Sequence, residues 1–391
     1  MFATRMERLG TETAFEVLAR ARELERTGRD IVHLEIGEPD MDTPKFIVEA
    51  AVQALREGWT HYGPSAGDPE VRATIAEHVN QARGLHATAD NVVVTPGAKP
   101  ILFFSLLACV NEGDEVIYPD PGFPIYESVT RFLNAKPVPL VLKEATGFAT
   151  TAEALAPLLT DRTRFVILNS PHNPTGAVTP RKNLEEIAAL LRDRDLFVLT
   201  DEVYSRIQYE GVNASIASLP GMEEKTIVLD GHSKTYAMTG WRMGYGVMRK
   251  DLAQHVTRLM TNSNSCTNVF VQRAGRAALL GPQGEIDAMI AEFRRRKDVI
   301  VRGLNAIPGV SCFDPLGAFY AFPNISRLGI DSRTLARDLL DKAGVAALSG
   351  TAFGQGGDGY LRFSYANSIA NIEKALGRMA EYLAANQLGV R

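Results

Sequence analysis

At 391 residues the chain exceeds the length at which one hydrophobic core usually suffices, so two or more domains are expected. Its composition, 45% hydrophobic and 23% charged, is that of an ordinary globular protein. A net charge of −4 with interspersed signs excludes broad electrostatic attraction to nucleic acid or anionic lipid, which leaves small molecules and a second copy of the chain as the expected partners.

The first residues, Met-Phe-Ala-Thr-Arg-Met-Glu-Arg, alternate charged and apolar side chains, a pattern unlike a secretory signal. The apolar stretch Ile101 to Val110 is too short to span a bilayer and reads as a buried helix. No membrane association and a cytoplasmic location are expected. Cys109, Cys266 and Cys312 lie far apart, and the seven histidines include no pair at i and i+4, so reduced thiols and no metal site are expected.

In chain order, Asn91–Thr95, Glu115–Tyr118, Phe165–Leu168, Leu196–Thr200, Thr226–Leu229 and Gly244–Met248 read as short, β-branched apolar strands. Helical patterns at Pro100–Val110, Pro124–Leu133 and Arg181–Arg192 alternate with them. Continuously apolar strands suit a mostly parallel central sheet flanked by helices on both faces, an α/β fold. One long helical pattern then runs from Leu252 to Leu280 and another from Gly284 to Ala306. Strands at Val310–Asp314, Ala318–Pro323 and Tyr360–Tyr365, with helices at Thr334–Lys342 and Ile369–Ala385, predict a smaller α+β domain. The expected division is a large domain at 46–283, a small C-terminal domain at 284–391, and an N-terminal segment, 1–45, packing with the small one.

Ligands of open α/β sheets bind beyond the carboxyl ends of the strands. There the sequence sets one polar group after another. Thr-Pro-Gly97-Ala98-Lys99-Pro100 opens a helix and suits a phosphate. A rigid turn carries Asn173, and Asp201 ends an apolar strand with Tyr204 three residues on. Ser233-Lys234 follows the next strand, with Arg242 beyond it. An amide, a carboxylate, a phenol, a lysine and an arginine at successive strand ends are what pyridoxal 5′-phosphate requires. Its aldehyde condenses with an amine, its ring nitrogen needs an ionised carboxylate, and its phosphate takes a helix terminus and an arginine.

Ser233-Lys234-Thr-Tyr-Ala-Met-Thr-Gly-Trp-Arg242, preceded by Asn173-Pro174-Thr175-Gly176 and Asp201-Glu202-Val203-Tyr204, resembles the fold-type I pyridoxal-phosphate enzymes of aminotransferase classes I and II. The likeness runs from Gly37-Glu38-Pro39-Asp40 to Arg362-Phe363-Ser364-Tyr365 and is greatest to the bacterial aspartate aminotransferase branch. The resemblance implies a pyridoxal-phosphate aminotransferase that moves the amino group of an L-amino acid to a 2-oxo acid by a ping-pong mechanism. Lys234 would hold the cofactor covalently and shuttle the proton, Asp201 would pair with the ring nitrogen, and Asn173 and Tyr204 would bond the phenolic oxygen. Gly97, Ala98, Ser233 and Arg242 would hold the phosphate, Lys99 would lie near the phosphate or the substrate's distal carboxylate, and Phe123 would stack on the ring. Arg362 would grip the substrate α-carboxylate beneath the segment of Gly37. Tyr62 matches a tyrosine that reaches the neighbouring subunit's phosphate, which implies a homodimer with shared sites.

The chain departs from the family pattern at Gly231, where relatives carry a hydroxyl, at Phe123 in place of tryptophan, and at Lys99 in place of a small hydroxyl residue. A lysine at position 99 leaves aspartate or glutamate open as substrates. The same residues also suit a C–S β-lyase acting on cysteine conjugates. A cofactor-binding regulator would need a basic helix-turn-helix segment, and none precedes the domain. The glycines at 240, 244 and 246 lack dinucleotide-loop spacing, and those at 354–359 lack the lysine of a nucleotide loop.

Overall fold

A computed structural model describes residues 2–389. Its centre is a seven-stranded sheet in the spatial order Val92–Thr95, Gly244–Val247, Thr226–Gly231, Phe197–Asp201, Thr163–Asn169, Glu115–Asp120, Lys136–Val141. Only Gly244–Val247 runs antiparallel to its neighbours. Side chains alternate across the strands, and the alternation sorts them into separate cores. Phe165, Ile167, Leu199, Ile227 and Leu229 join the helices Lys99–Cys109, Ile125–Phe132 and Lys250–Ser263. Val166, Leu168 and Val198 face the opposite way, toward the helix Arg181–Leu191.

The predicted strands and helices of the large sheet form, with one strand added. Lys136–Val141 carries prolines at 137 and 139 and a mostly exposed face, so it has no apolar run to reveal it. Proline is tolerated there because the strand lies at the sheet's edge and pairs on one side only. Two corrections follow from local backbone. The predicted Leu252–Leu280 helix is two helices, Lys250–Ser263 and Val269–Leu280, parted by a turn in which Ser265 has a φ of 64°. The small-domain strands are also shorter than expected: Ser311–Cys312, Tyr320–Ala321, Pro323–Asn324 and Leu361–Ser364. The helix expected at Thr334–Lys342 is Ser332–Asp338, with a wider turn at Leu339–Ala343.

Three helices precede the sheet: Thr13–Arg26, Lys45–Arg56 and Pro69–Arg83. The last is set by its ends. Asp68 accepts hydrogen bonds from Glu70 N (3.0 Å) and Val71 N (3.2 Å), Pro69 starts the first turn, and Gly84 stops the helix in the left-handed region.

The smaller α+β unit packs the helices Gly284–Asn305 and Ile369–Ala385 over short strands, and the N-terminal strand Val32–His33 joins it in parallel with Val345–Ala346. The segment before that strand does not stay with the small unit throughout. Gly10 N donates to Ser128 Oγ (2.9 Å) and Arg8 to the Phe132 carbonyl (3.4 Å), both on the large unit. No helix among the described residues is long and apolar enough to cross a membrane, and none of their His, Cys, Asp and Glu side chains cluster to hold a metal ion.

Candidate active site

At the carboxyl edge of the sheet, between the two units, lies a cleft of about 510 Å³. It gathers Gly37, Ala98, Lys99, Phe123, Asn173, Asp201, Tyr204, Ser233, Lys234, Arg242 and Arg362, residues drawn from positions 37 to 362 of the chain. Gly97 lies directly behind the Arg242 guanidinium. Tyr62 is the exception. It stands 89% exposed on the surface and does not line the cleft.

Lys234 sits in the one-turn helix His232–Thr235, which caps the strand Thr226–Gly231. Its amine is half-buried and donates to the Gly37 carbonyl. Burial pushes its pKa down from 10.5 to about 8, and the cations Arg362, Lys99 and Arg242 push the same way, against Glu38.

Asp201 ends the adjacent strand, with Asn169 beside it in register. The carboxylate is buried at 8% exposure and accepts from Tyr126 OH (2.7 Å) and Val203 N (3.3 Å). Burial raises its pKa from 3.8 to about 6, and the Tyr126 bond opposes the rise. Asn169 fixes the turn above it, donating to the Asp201 carbonyl (2.9 Å) and accepting from Asn173 N (3.0 Å). The Tyr204 and Tyr320 hydroxyls are 2.6 Å apart.

Arg242 lies at the helix-start side, donating to the Thr239 carbonyl (2.8 Å) and, at 3.5 Å, to that of Pro96. Position 97 favours glycine because its φ is +86°, and a Cβ there would also displace the Arg242 guanidinium, 2.0 Å away. Gly231 has no such strain, but a Cβ there would lie 3.0 Å from Gly244 Cα and 3.1 Å from the Met243 carbonyl. The missing hydroxyl at 231 thus reflects a neighbouring strand that leaves it little room.

Lys99 stands 5.4 Å from the centre of the Phe123 ring and pairs with Glu12 from the N-terminal segment. Arg362 is buried, with Nη1 donating to Asn173 Oδ1 (3.2 Å) and Nε unpartnered among the described residues. Asn262 and Asn264 are exposed and lie outside the cleft.

Behind the cleft a buried ion cluster ties the strand carrying Asp201 to the strand leading to Lys234. Arg83 Nε donates to Glu202 (2.6 Å), its Nη2 donates to Asp230, and Glu202 also accepts from Thr200 (3.0 Å) and Ser215 (2.5 Å). Burial acts to lower the Arg83 pKa, and the two carboxylates outweigh it, so the guanidinium stays charged.

Several cleft residues were missed in sequence. Tyr126, one helical turn after Phe123, had a positional signal. Tyr320 in an apolar strand reads only as core, and Glu12, Phe15 and Glu38 come from segments without strand-end placement.

A lysine amine, a buried acid and a buried guanidinium converge on one cleft of this α/β protein. The chain belongs to the aminotransferase class I and II family, whose profile matches residues 29–379. It is 36% identical to an aspartate aminotransferase of Musicola paradisiaca over 97% of this chain and 96% of that protein. It is 38% identical to aromatic-amino-acid aminotransferase 2 of Thermococcus litoralis, over 92% of this chain and 93% of that one. The structure of the Thermus thermophilus aspartate aminotransferase with maleate superposes at a TM-score of 0.94 with 36% identity, covering 97% of this chain and 99% of the other. The protein is therefore an aminotransferase, of a family that uses pyridoxal phosphate and takes amino acids and 2-oxo acids.

Proposed function

We propose that this cleft binds pyridoxal 5′-phosphate and moves the amino group of an L-amino acid to a 2-oxo acid in two half-reactions. The observation that carries the reading is Lys234 and Asp201 at neighbouring strand ends of one cavity, with the buried Arg362 guanidinium lining it. The residues fit the cofactor. Asp201 is a buried acid with spare acceptor capacity, Arg362 keeps an unpartnered N–H, and the Arg242 guanidinium lies against the Gly97 backbone at the helix start.

Lys234 would hold the aldehyde, Asp201 the ring nitrogen, and Asn173 and Tyr204 the phenolic oxygen. Phe123 would cover the ring, and Gly97, Ala98, Lys99, Ser233 and Arg242 would take the phosphate. Tyr62, too far out to serve its own cleft, would serve that of a second copy in a homodimer. When bound, the cofactor supplies an electron sink for the charge left on the substrate carbon.

The remaining work falls to the chain. With a pKa of about 8, about a tenth of the Lys234 amine is neutral at pH 7, far more than at the ordinary value of 10.5, and the neutral form is the nucleophile and proton carrier. Arg362 would take the α-carboxylate through parallel N–H bonds and so aim the Cα–H bond at Lys234. Gly37 would close over the substrate, and the Lys234–Gly37 contact is consistent with that. The same reading puts the unit boundaries at residues 45 and 283. Aspartate or glutamate as substrate is supported by the names of the relatives and by a cation at position 99.

The test is the absorption spectrum of the purified protein before and after single amino acids, without an oxo acid. A yellow band that gives way to the aminated cofactor's band, first with aspartate or glutamate, is expected. A band that persists with every donor would overturn aminotransfer, and a first response to aromatic donors would overturn the substrate assignment. Lys234→Ala should keep its far-UV circular dichroism and lose nearly all turnover.

A further inference from the structure

What holds Arg362 comes from a segment with no strand-end signal. Its Nη2 donates to the backbone carbonyl of Glu35, and the rings of Tyr320 and Phe353 lie 4.5 and 4.8 Å from the guanidinium carbon. The segment bearing that carbonyl is bound on both sides. Leu34 N donates to the Ala346 carbonyl (3.0 Å), Ser364 N to that of Leu34 (2.7 Å), and the Asn367 amide to that of His33 (2.9 Å).

In an extended segment the side chains of residues 33 and 35 point the same way. Glu35 is 0% exposed, with one carboxyl oxygen 2.7 Å from His33 Nδ1 and the other without a partner among the described residues. His33 Nε2 in turn lies 3.0 Å from Glu25 on the helix Thr13–Arg26. An imidazole between two carboxylates is satisfied when both ring nitrogens donate, that is, as the cation. A buried, half-satisfied carboxylate persists only beside positive charge. Here the imidazole touches it and the Arg362 guanidinium is bound to its own backbone.

We propose that His33 and Glu35 are positioning residues for Arg362. The charged imidazole holds the buried Glu35 carboxylate, and Glu35, through its charge and its carbonyl, holds the guanidinium ready for a substrate carboxylate. The inference rests on the carboxylate-binding role given to Arg362 above.

It carries a pH dependence. The Glu35 contact raises the His33 pKa from 6.5 to about 9, against burial, and Glu25 adds to the rise. Among the cations on the packed elements, Lys374 and Arg378 pair with Asp30, and Arg29 donates to the Asp341 carbonyl. In the folded protein His33 is charged at pH 7, so the support for Arg362 is present there and is lost as pH rises through about 9.

The probe is 2-oxoglutarate, a dicarboxylate with no amine of its own to titrate, bound to the holoenzyme and followed by calorimetry at pH 7 and pH 10. His33→Gln should weaken binding at pH 7 by about five-fold and flatten the difference between the two pH values, while kcat changes by less than about two-fold. Glu25→Gln, at an exposed helix position, should shift the weakening to lower pH. Comparing variants at each pH removes titrations they share, that of Lys234 included. Arg362→Ala separates the two levels. If it binds 2-oxoglutarate as the wild type does, the role of Arg362 falls and this proposal with it. If it binds weakly while His33→Gln and Glu25→Gln keep the wild-type affinity at both pH values, the positioning role alone is overturned. Should His33→Gln not fold, an unchanged pH profile in Glu25→Gln overturns it by itself.

Discussion

Asp201 is a carboxylate with only 8% of its surface exposed, with one phenol and one amide for company. Its pKa is raised from 3.8 to about 6, so without cofactor the folded state holds its proton more tightly than the unfolded chain does. Stability from this group is fully present below pH 3.8 and is lost as pH rises through about 6. Replacing the carboxylate by an amide should remove that penalty. Asp201→Asn is expected to make the cofactor-free protein more stable at pH 7 by about 2–3 kcal/mol in urea unfolding, with little gain at pH 4. The same change should lower turnover severely, because an amide does not hold a ring nitrogen protonated. A less stable Asn variant at pH 7 would mean that Asp201 is not strained by its burial. Function here works against stability, as is common at active sites.

Among the elements, the helix Pro69–Arg83 shows how much can rest on one cap. Asp68→Ala removes both side-chain bonds to the first turn and should cost about 1 kcal/mol, read as a lower urea midpoint with an unchanged slope. The central sheet was legible because its strands are short, β-branched and buried on both faces, so that Val92–Thr95 or Phe165–Leu168 admits no other reading of comparable length. Most of the cleft was legible for a related reason: a polar residue that ends an apolar strand has nowhere to point but the ligand edge. Lys136–Val141 escaped because an edge strand needs neither alternation nor a full set of donors. The break at Ser265 escaped because it interrupts two helices of similar pattern without a proline or glycine. His33, Glu35 and Tyr320 escaped because their roles depend on which distant strand lies alongside, and no local pattern records that.

At the scale of the whole molecule, the exposed Tyr62 ring fits the proposed homodimer with shared sites. Sedimentation should give twice the mass of a single chain. Tyr62→Phe should weaken cofactor retention several-fold in fluorescence titration without dissociating the pair, since only a hydroxyl is lost. A stable monomer with full activity would refute both the shared site and the role of Tyr62.

The cluster of Arg83, Glu202 and Asp230 joins a surface-packing helix to the two strands that deliver the acid and the lysine. Changing one member leaves a buried charge without its counterion, at a cost of about 3–5 kcal/mol, whereas replacing the set by apolar groups of similar volume can cost nothing. A lineage therefore crosses between the two solutions only by changing the three positions nearly together. These positions should be inherited as a block, with charged and apolar versions both present among descendants and mixed ones scarce.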